Sequence, residues 1–204
     1  MDVAAVMALS PVIPVLVIDD LAHARPIAEA LVAGGLVALE VTLRSPCALD
    51  AIRAMSEVAG AVVGAGTILD ERDLDSALDA GARFIVSPGL TESLGRAAID
   101  RDVAFLPGTA TAGDVMRGLD MGLTHFKFFP AMAAGGVPAL KALCAPLSKA
   151  RFCPTGGITL DTAVDWLAIP QVVCVGGSWI VRRGTPDPAR ISALARTACT
   201  LARA

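Results

Sequence analysis

The sequence predicts an α/β fold: a single compact (β/α)8 barrel over residues 1–204, opened by a short N-terminal helix. Three observations lead there. Eight short apolar runs alternate with longer segments of helical period. The runs are apolar at nearly every position, as strands covered on both faces must be. Their C-terminal ends share a polar or glycine-rich character that their N-terminal ends lack, and in such a barrel the C-terminal ends form the functional mouth.

The strand runs fall at 12–18, 37–43, 61–65, 83–86, 103–106, 125–129, 151–153 and 172–175. Between them, stretches such as 22–32, 46–58, 74–80 and 160–167 carry apolar residues three and four apart. Helix starts are signalled by Asp70 ahead of Leu74, Thr91 ahead of Leu94, Thr111 with Asp114, and Thr159 with Thr162. Gly34, Gly35, Gly81 and Gly122 stand just past helix ends, where a left-handed residue is favoured. Residues 1–9 read as a helix closing the barrel floor. An open doubly wound sheet is the competing topology, but no G-x-G-x-x-G follows the first strand and the chain does not divide into halves. With no linker or low-complexity tract, a length of 204 residues predicts one domain.

Hydrophobic residues make up 54% of the chain and charged residues 18%. That excess suits strands buried on both faces and an oligomer that hides part of its surface. The net charge of −3 comes from 17 basic and 20 acidic residues with no basic run, which argues against nucleic acid or an anionic membrane as partner. The apolar stretch 3–18 is interrupted by Ser10, Pro11 and Pro14 and lacks a basic start and a small-residue cleavage site. Neither a signal peptide nor a membrane span is expected. Five scattered cysteines without a C-x-x-C pair predict reduced thiols and a cytoplasmic location. Two distant histidines and no clustered thiols or carboxylates predict no metal, and nothing calls for a cofactor.

Alternation along the strands selects the chemistry. In 40–44, period two puts Glu40, Thr42 and Arg44 on one face and Val41 and Leu43 on the other. Helices cover the outside of a barrel, so the polar face looks inward. The same rule turns Lys127, His125 and Phe129 inward and Phe126 and Phe128 outward. A lysine among three phenylalanines is costly to bury unless it is paired or neutral. One reading is a structural ion pair with Glu40. The other is a nucleophile, because a lysine in an apolar setting gives up its proton more readily and then attacks a carbonyl. Glu40 beside it would move protons, and Arg44 would hold an anion. Gly156-Gly157 and Gly176-Gly177-Ser178 end the seventh and eighth strands, where barrels commonly bind phosphate. The bland reading of each glycine pair is a tight turn. His23 reads as a solvated residue on the first helix, and His125 as a hydrogen-bonded core residue one layer below Lys127.

Read in order, residues 39–44, 63–67, 87–89, 126–130, 151–158 and 176–179 closely resemble the bacterial 2-keto-3-deoxy-6-phosphogluconate (KDPG) and 4-hydroxy-2-oxoglutarate (KHG) aldolase family. The likeness runs from about Pro11 to beyond Trp179. It implies a class I, metal-free and cofactor-free homotrimeric barrel acting on a phosphorylated keto acid, with Lys127 as Schiff-base lysine and Glu40 as general acid/base. It further implies that Arg44 holds the substrate carboxylate and that Thr67, Pro88 and Phe129 shape that end. Thr155 would contact the hydroxylated chain, and Gly156, Gly157, Gly177 and Ser178 would line a phosphate pocket. Thr155 and the Phe128-Phe129 pair favour the gluconate enzyme over the related one acting on the C4 epimer, 2-keto-3-deoxy-6-phosphogalactonate. Residues 131–136 and 108–110 depart from the family pattern without removing a catalytic group. A different phosphate-binding barrel enzyme would need metal-binding carboxylates or basic residues at other strand ends. A non-catalytic phosphosugar-binding barrel would give Lys127 and Glu40 no reason to face inward together.

Overall fold

A computed structural model describes residues 1–202. The expected domain also takes in Arg203 and Ala204, which lie outside the described residues. In chain order the elements are α1 (Val3–Ala8), β1 (Val12–Leu16), a 3-10 turn (Leu21–His23), α2 (Ala24–Ala33), β2 (Ala38–Thr42), α3 (Ala48–Ser56), β3 (Val62–Gly66), α4 (Glu71–Asp79), β4 (Phe84–Val86), α5 (Glu92–Asp100), β5 (Ala104–Leu106), β6 (Gly108–Thr109), α6 (Ala112–Asp120), β7 (His125–Phe128), α7 (Gly136–Cys144), β8 (Arg151–Pro154), α8 (Leu160–Leu167), β9 (Val175–Gly177) and α9 (Pro188–Cys199).

The hydroxyl and carboxylate caps act where the sequence places them. Asp70 accepts a hydrogen bond from the amide of Asp73, and Thr91 from that of Leu94. Thr111 with Asp114 and Thr159 with Thr162 each close a reciprocal capping box, satisfying amides that the first helical turn leaves unpaired. Gly35, Gly81 and Gly122 leave their helices at φ of 93°, 95° and 85°, conformations that cost a side-chain-bearing residue far more.

All strand pairing is parallel. One curled sheet has the order β5-β4-β3-β2-β1-β9, and a second has β6-β7-β8. Among the described residues the hydrogen-bonded pairing thus forms two parallel sheets, and continuous pairing around the eight-stranded ring expected from the sequence is not seen. The fifth expected strand, 103–106, appears as β5; Pro107, which has no N–H to donate, follows it, and pairing resumes with a different neighbour at Gly108. The last strand also differs from the run at 172–175. Pairing with β1 begins at Val175, opposite Val12, while Val172 makes an isolated bridge to Phe152. A second bridge, Thr155 to Gly176, ties β8 to β9 near the mouth.

Period-two alternation divides the core into two clusters. Val12, Leu39, Val41, Val63, Ala65, Ile85, Phe105, Phe126, Phe128 and Phe152 pack outward against the helices. Phe126 lies against Phe152 and Phe128 against Trp166, with ring centroids 6.1 and 6.2 Å apart. Contacts of that kind contribute roughly 0.5–1.5 kcal/mol each beyond area burial. Ile13, Ala38, Val62, Phe84, Val86, Ala104, Leu106, Cys153 and Cys174 form the inner cluster, and Val6 and Met7 of α1 join it. The short first helix therefore plugs the floor, as expected. Above this apolar plug, the inward positions of β2 and β7 turn polar.

Candidate active site

Glu40 on β2 and Lys127 on β7 are 3% and 5% exposed and face each other across the concave side. Lys127 Nζ donates to Glu40 Oε1 at 3.0 Å and sits 5.3 Å from the centre of the Phe129 ring. The backbone of Lys127 is fixed on the β6 side. Its amide donates to the Pro107 carbonyl at 2.8 Å, and its carbonyl accepts from the buried Thr109 hydroxyl at 3.4 Å. Apolar groups of similar volume often replace a buried ion pair without loss of stability. Packing alone therefore gives weak grounds for keeping this one.

The cleft supplies stronger grounds. Val15, Glu40, Thr42, Arg44, Thr67, Pro88, Lys127, Phe129 and Thr155 line a hollow of about 180 Å³. Among the described residues no carboxylate pairs with Arg44. Its Nε–H donates to the Thr42 hydroxyl at 3.1 Å, and that hydroxyl donates in turn to the Leu16 carbonyl at 2.8 Å. A hydroxyl has one hydrogen, so the bond to Leu16 leaves its lone pairs to receive Arg44. The guanidinium is oriented through Nε, and its terminal nitrogens remain available for a carboxylate.

Thr67 enters the cleft with φ of 65°. A left-handed backbone costs a β-branched residue roughly 1–2 kcal/mol, and such strain concentrates where function requires a fixed geometry. Neither this conformation nor the lining role of Val15 was signalled by the sequence, although the inward alternation of Ile13 and Val15 on β1 could have flagged the latter.

Eight of the sequence-predicted positions, including the inward-facing Thr42, meet in this hollow. Gly156, Gly157, Gly177 and Ser178 lie outside its lining, the first two on the turn that leaves β8 and the other two at the end of β9 and just past it. They remain contiguous with it. A side chain added at Gly156 would come within 3.5 Å of the Phe129 ring, and the bridge between Thr155 and Gly176 joins the two turns. Gly156 and Gly157 have φ of 109° and 78°, which glycine alone adopts cheaply. A Cβ at Gly177 would run into the Trp179 ring.

A larger hollow of about 390 Å³ shares Pro88 and Phe129 with the cleft. Its titratable side chain, Asp114, is committed to the α6 capping box, so the reactive groups belong to the smaller space. His125 lies below Lys127, half-buried, with Nδ1 3.0 Å from the Thr124 hydroxyl. Burial first, and then the Arg151 cation, hold its pKa below the ordinary histidine value. His23 ends the 3-10 turn beside Asp20 rather than lying on a helix face. Among the described residues no three His, Cys, Asp or Glu side chains converge as metal ligands, and no helix is long and apolar enough to cross a membrane.

A buried amine beside a carboxylate, in a cleft with a guanidinium that no carboxylate pairs among the described residues, is the set of groups that imine chemistry on a keto acid requires. A family model described as KDPG and KHG aldolase matches residues 3–194. The chain belongs to the KDPG and KHG aldolase family. It is 59% identical to the 2-dehydro-3-deoxy-phosphogluconate aldolase of Zymomonas mobilis subsp. mobilis, over all of this chain and 98% of that one. The crystal structure of the Z. mobilis ZM4 KDPG aldolase with 3-phosphoglycerate superposes with a TM-score of 0.98 at 59% identity, covering 100% of this chain and 97% of the other. The KDPG aldolase of Legionella pneumophila, with pyruvate captured as a covalent carbinolamine, superposes with a TM-score of 0.95 at 43% identity, covering 98% and 99%.

Proposed function

We propose that this chain is a class I aldolase that reversibly cleaves KDPG to pyruvate and glyceraldehyde 3-phosphate through a Schiff base on Lys127. The observation that carries the reading is the 3.0 Å contact between the Lys127 amine and the Glu40 carboxylate in a cleft that also holds Arg44, which no carboxylate pairs among the described residues.

The substrate carboxylate sits on Arg44, with Thr67, Pro88 and Phe129 around the keto end, which brings C2 to Lys127. A proton passed from the amine to Glu40 leaves a lone pair that attacks C2. The resulting carbinolamine loses water, using the proton returned by Glu40, and becomes a protonated imine. Glu40, directly or through a water, then takes the proton of the C4 hydroxyl. The C3–C4 bond breaks, C4 leaves as the aldehyde, and the bonding electrons enter the imine as an enamine. Protonation of C3 and hydrolysis release pyruvate and the free amine. The protonated imine accepts the electrons that a metal ion would otherwise stabilise. Activity is therefore expected to survive dialysis against EDTA unchanged, and loss on chelation with recovery on adding a divalent ion would contradict the imine route.

In this reading Thr155 meets the hydroxylated chain, while Gly156, Gly157, Gly177 and Ser178 receive the phosphate through main-chain amides. KHG, which carries no phosphate, is the second substrate of this proposal. Because Gly177 backs onto Trp179, a bulky residue there would disturb packing whatever the substrate. Exposed Ser178 gives the cleaner test. Ser178→Ala should be mild. Ser178→Asp should raise KM for KDPG by about tenfold or more, since like charges some ~4 Å apart repel by about 1–4 kcal/mol near a protein surface. Cleavage of KHG by the same variant should change little, and equal losses on both substrates would place the phosphate elsewhere.

The supporting architecture is read as one domain, a closed barrel of eight staves. β5 and β6 count as one stave broken at Pro107, and the two bridges between the β8 and β9 segments supply the closure. A homotrimer in the cytoplasm completes the proposal, and sedimentation equilibrium tests the trimer.

A further inference from the structure

We propose that Gly66 is a positioning residue for Glu40, its missing side chain being the space in which the carboxylate is held against Lys127. Gly66 ends β3 and is paired in register with Thr42, so it lies beside Glu40 on the concave face. A glycine inside a strand costs about 0.5–1 kcal/mol relative to alanine and needs a reason. At Gly156 and Gly157 the reason is a positive φ, but Gly66 is not among the positive-φ residues, so its backbone would accept alanine. The obstacle is a side chain. A Cβ at Gly66 would overlap Glu40 Oε1 and lie 2.8 Å from its Cγ and Cδ, and all three nearest atoms belong to Glu40. Gly64, the next inward position on the strand, makes the same kind of room for the Phe84 ring. Two inward glycines on one strand thus admit two different neighbours, one structural and one chemical.

The colliding atoms are the far end of a flexible side chain, so an added methyl group would displace Glu40 and leave the strand in place. The carboxylate would swing away from Lys127 Nζ and lose the 3.0 Å hydrogen bond, although every functional group would still be present. This inference rests on the reading of Glu40 as the proton carrier.

A four-protein cycle of wild type, Gly66→Ala, Glu40→Ala and the double variant tests it, with kcat for KDPG cleavage and the thermal midpoint measured for each. Gly66→Ala is expected to fold with a midpoint close to wild type and lose about 100-fold in kcat, the scale of an ångström-sized misplacement. In the Glu40→Ala background the same methyl group should change kcat by less than about twofold, because nothing remains for it to displace. An equal loss in both backgrounds, or no loss beside intact Glu40, overturns the inference. Should Gly66→Ala fail to fold, the double variant decides: a folded double shows that Glu40 was the sole obstacle, and an unfolded one overturns the proposal. Wild-type cleavage by Glu40→Ala alone would instead refute the proton-carrier role, and with it any need to position that carboxylate.

Discussion

Lys127→Arg and Lys127→Ala are expected to lose cleavage by about 10⁴-fold or more, the scale seen when a covalent nucleophile is removed. Arginine keeps the charge, much of the length and the contact with Glu40, so it isolates nucleophilicity. A guanidinium stays protonated and cannot form an imine at neutral pH. Alanine tests the same point with a different side effect. It leaves Glu40 buried without its partner, and breaking a buried pair costs about 3–5 kcal/mol unless the carboxyl takes up a proton. The thermal midpoints of both variants should therefore accompany the kinetics. Loss of activity in well-folded Lys127→Arg can only be chemical. Cleavage by that variant within about tenfold of wild type would rule out the covalent route.

Glu40→Gln should lower kcat by about 10²–10⁴-fold, the usual contribution of a positioned acid/base group. The amide fills the same volume between Gly66 and Lys127 and still offers an oxygen to the amine, but it cannot carry a proton at any step. The loss should appear in kcat more than in KM, because the contacts proposed for Arg44 and Thr67 with the keto-acid end are left in place. The variant should still react with pyruvate at Lys127, only more slowly, since imine formation needs fewer assisted proton transfers than the full cleavage cycle. Near-wild-type turnover in Glu40→Gln would reduce the pair to a structural contact.

How much of this was legible in the sequence varied with the range of the forces involved. Helix ends were legible because capping is local: Thr111 and Asp114 satisfy each other's amides within four residues. Strand polarity was legible because alternation is local too, and Leu39 and Val41 pack outward while Glu40 and Thr42 line the cleft. The boundary of β9 was hidden, because its start is set by pairing with Val12 on β1 and not by the apolarity of residues 172–175. The two breaks in hydrogen-bonded pairing were hidden as well: one falls at Pro107, which has no N–H to donate, and the other between β8 and β9, which only two isolated bridges join. At the site, the convergence of Glu40, Arg44, Lys127 and Thr155 followed from strand-end positions. The left-handed backbone of Thr67 did not, since local preference opposes it and only the surrounding fold enforces it. The orientation of Gly177 toward Trp179 was hidden for a similar reason, because a glycine carries no side chain by which to read its facing.

The most direct measurement is reduction of the enzyme with borohydride in the presence of pyruvate, followed by peptide mass spectrometry. A Schiff base at the buried amine predicts a carboxyethyl group on Lys127, dependent on both reagents, with activity lost in step with its formation. An adduct on Lys141 or Lys149, or none on any lysine while cleavage activity persists after treatment, would contradict it.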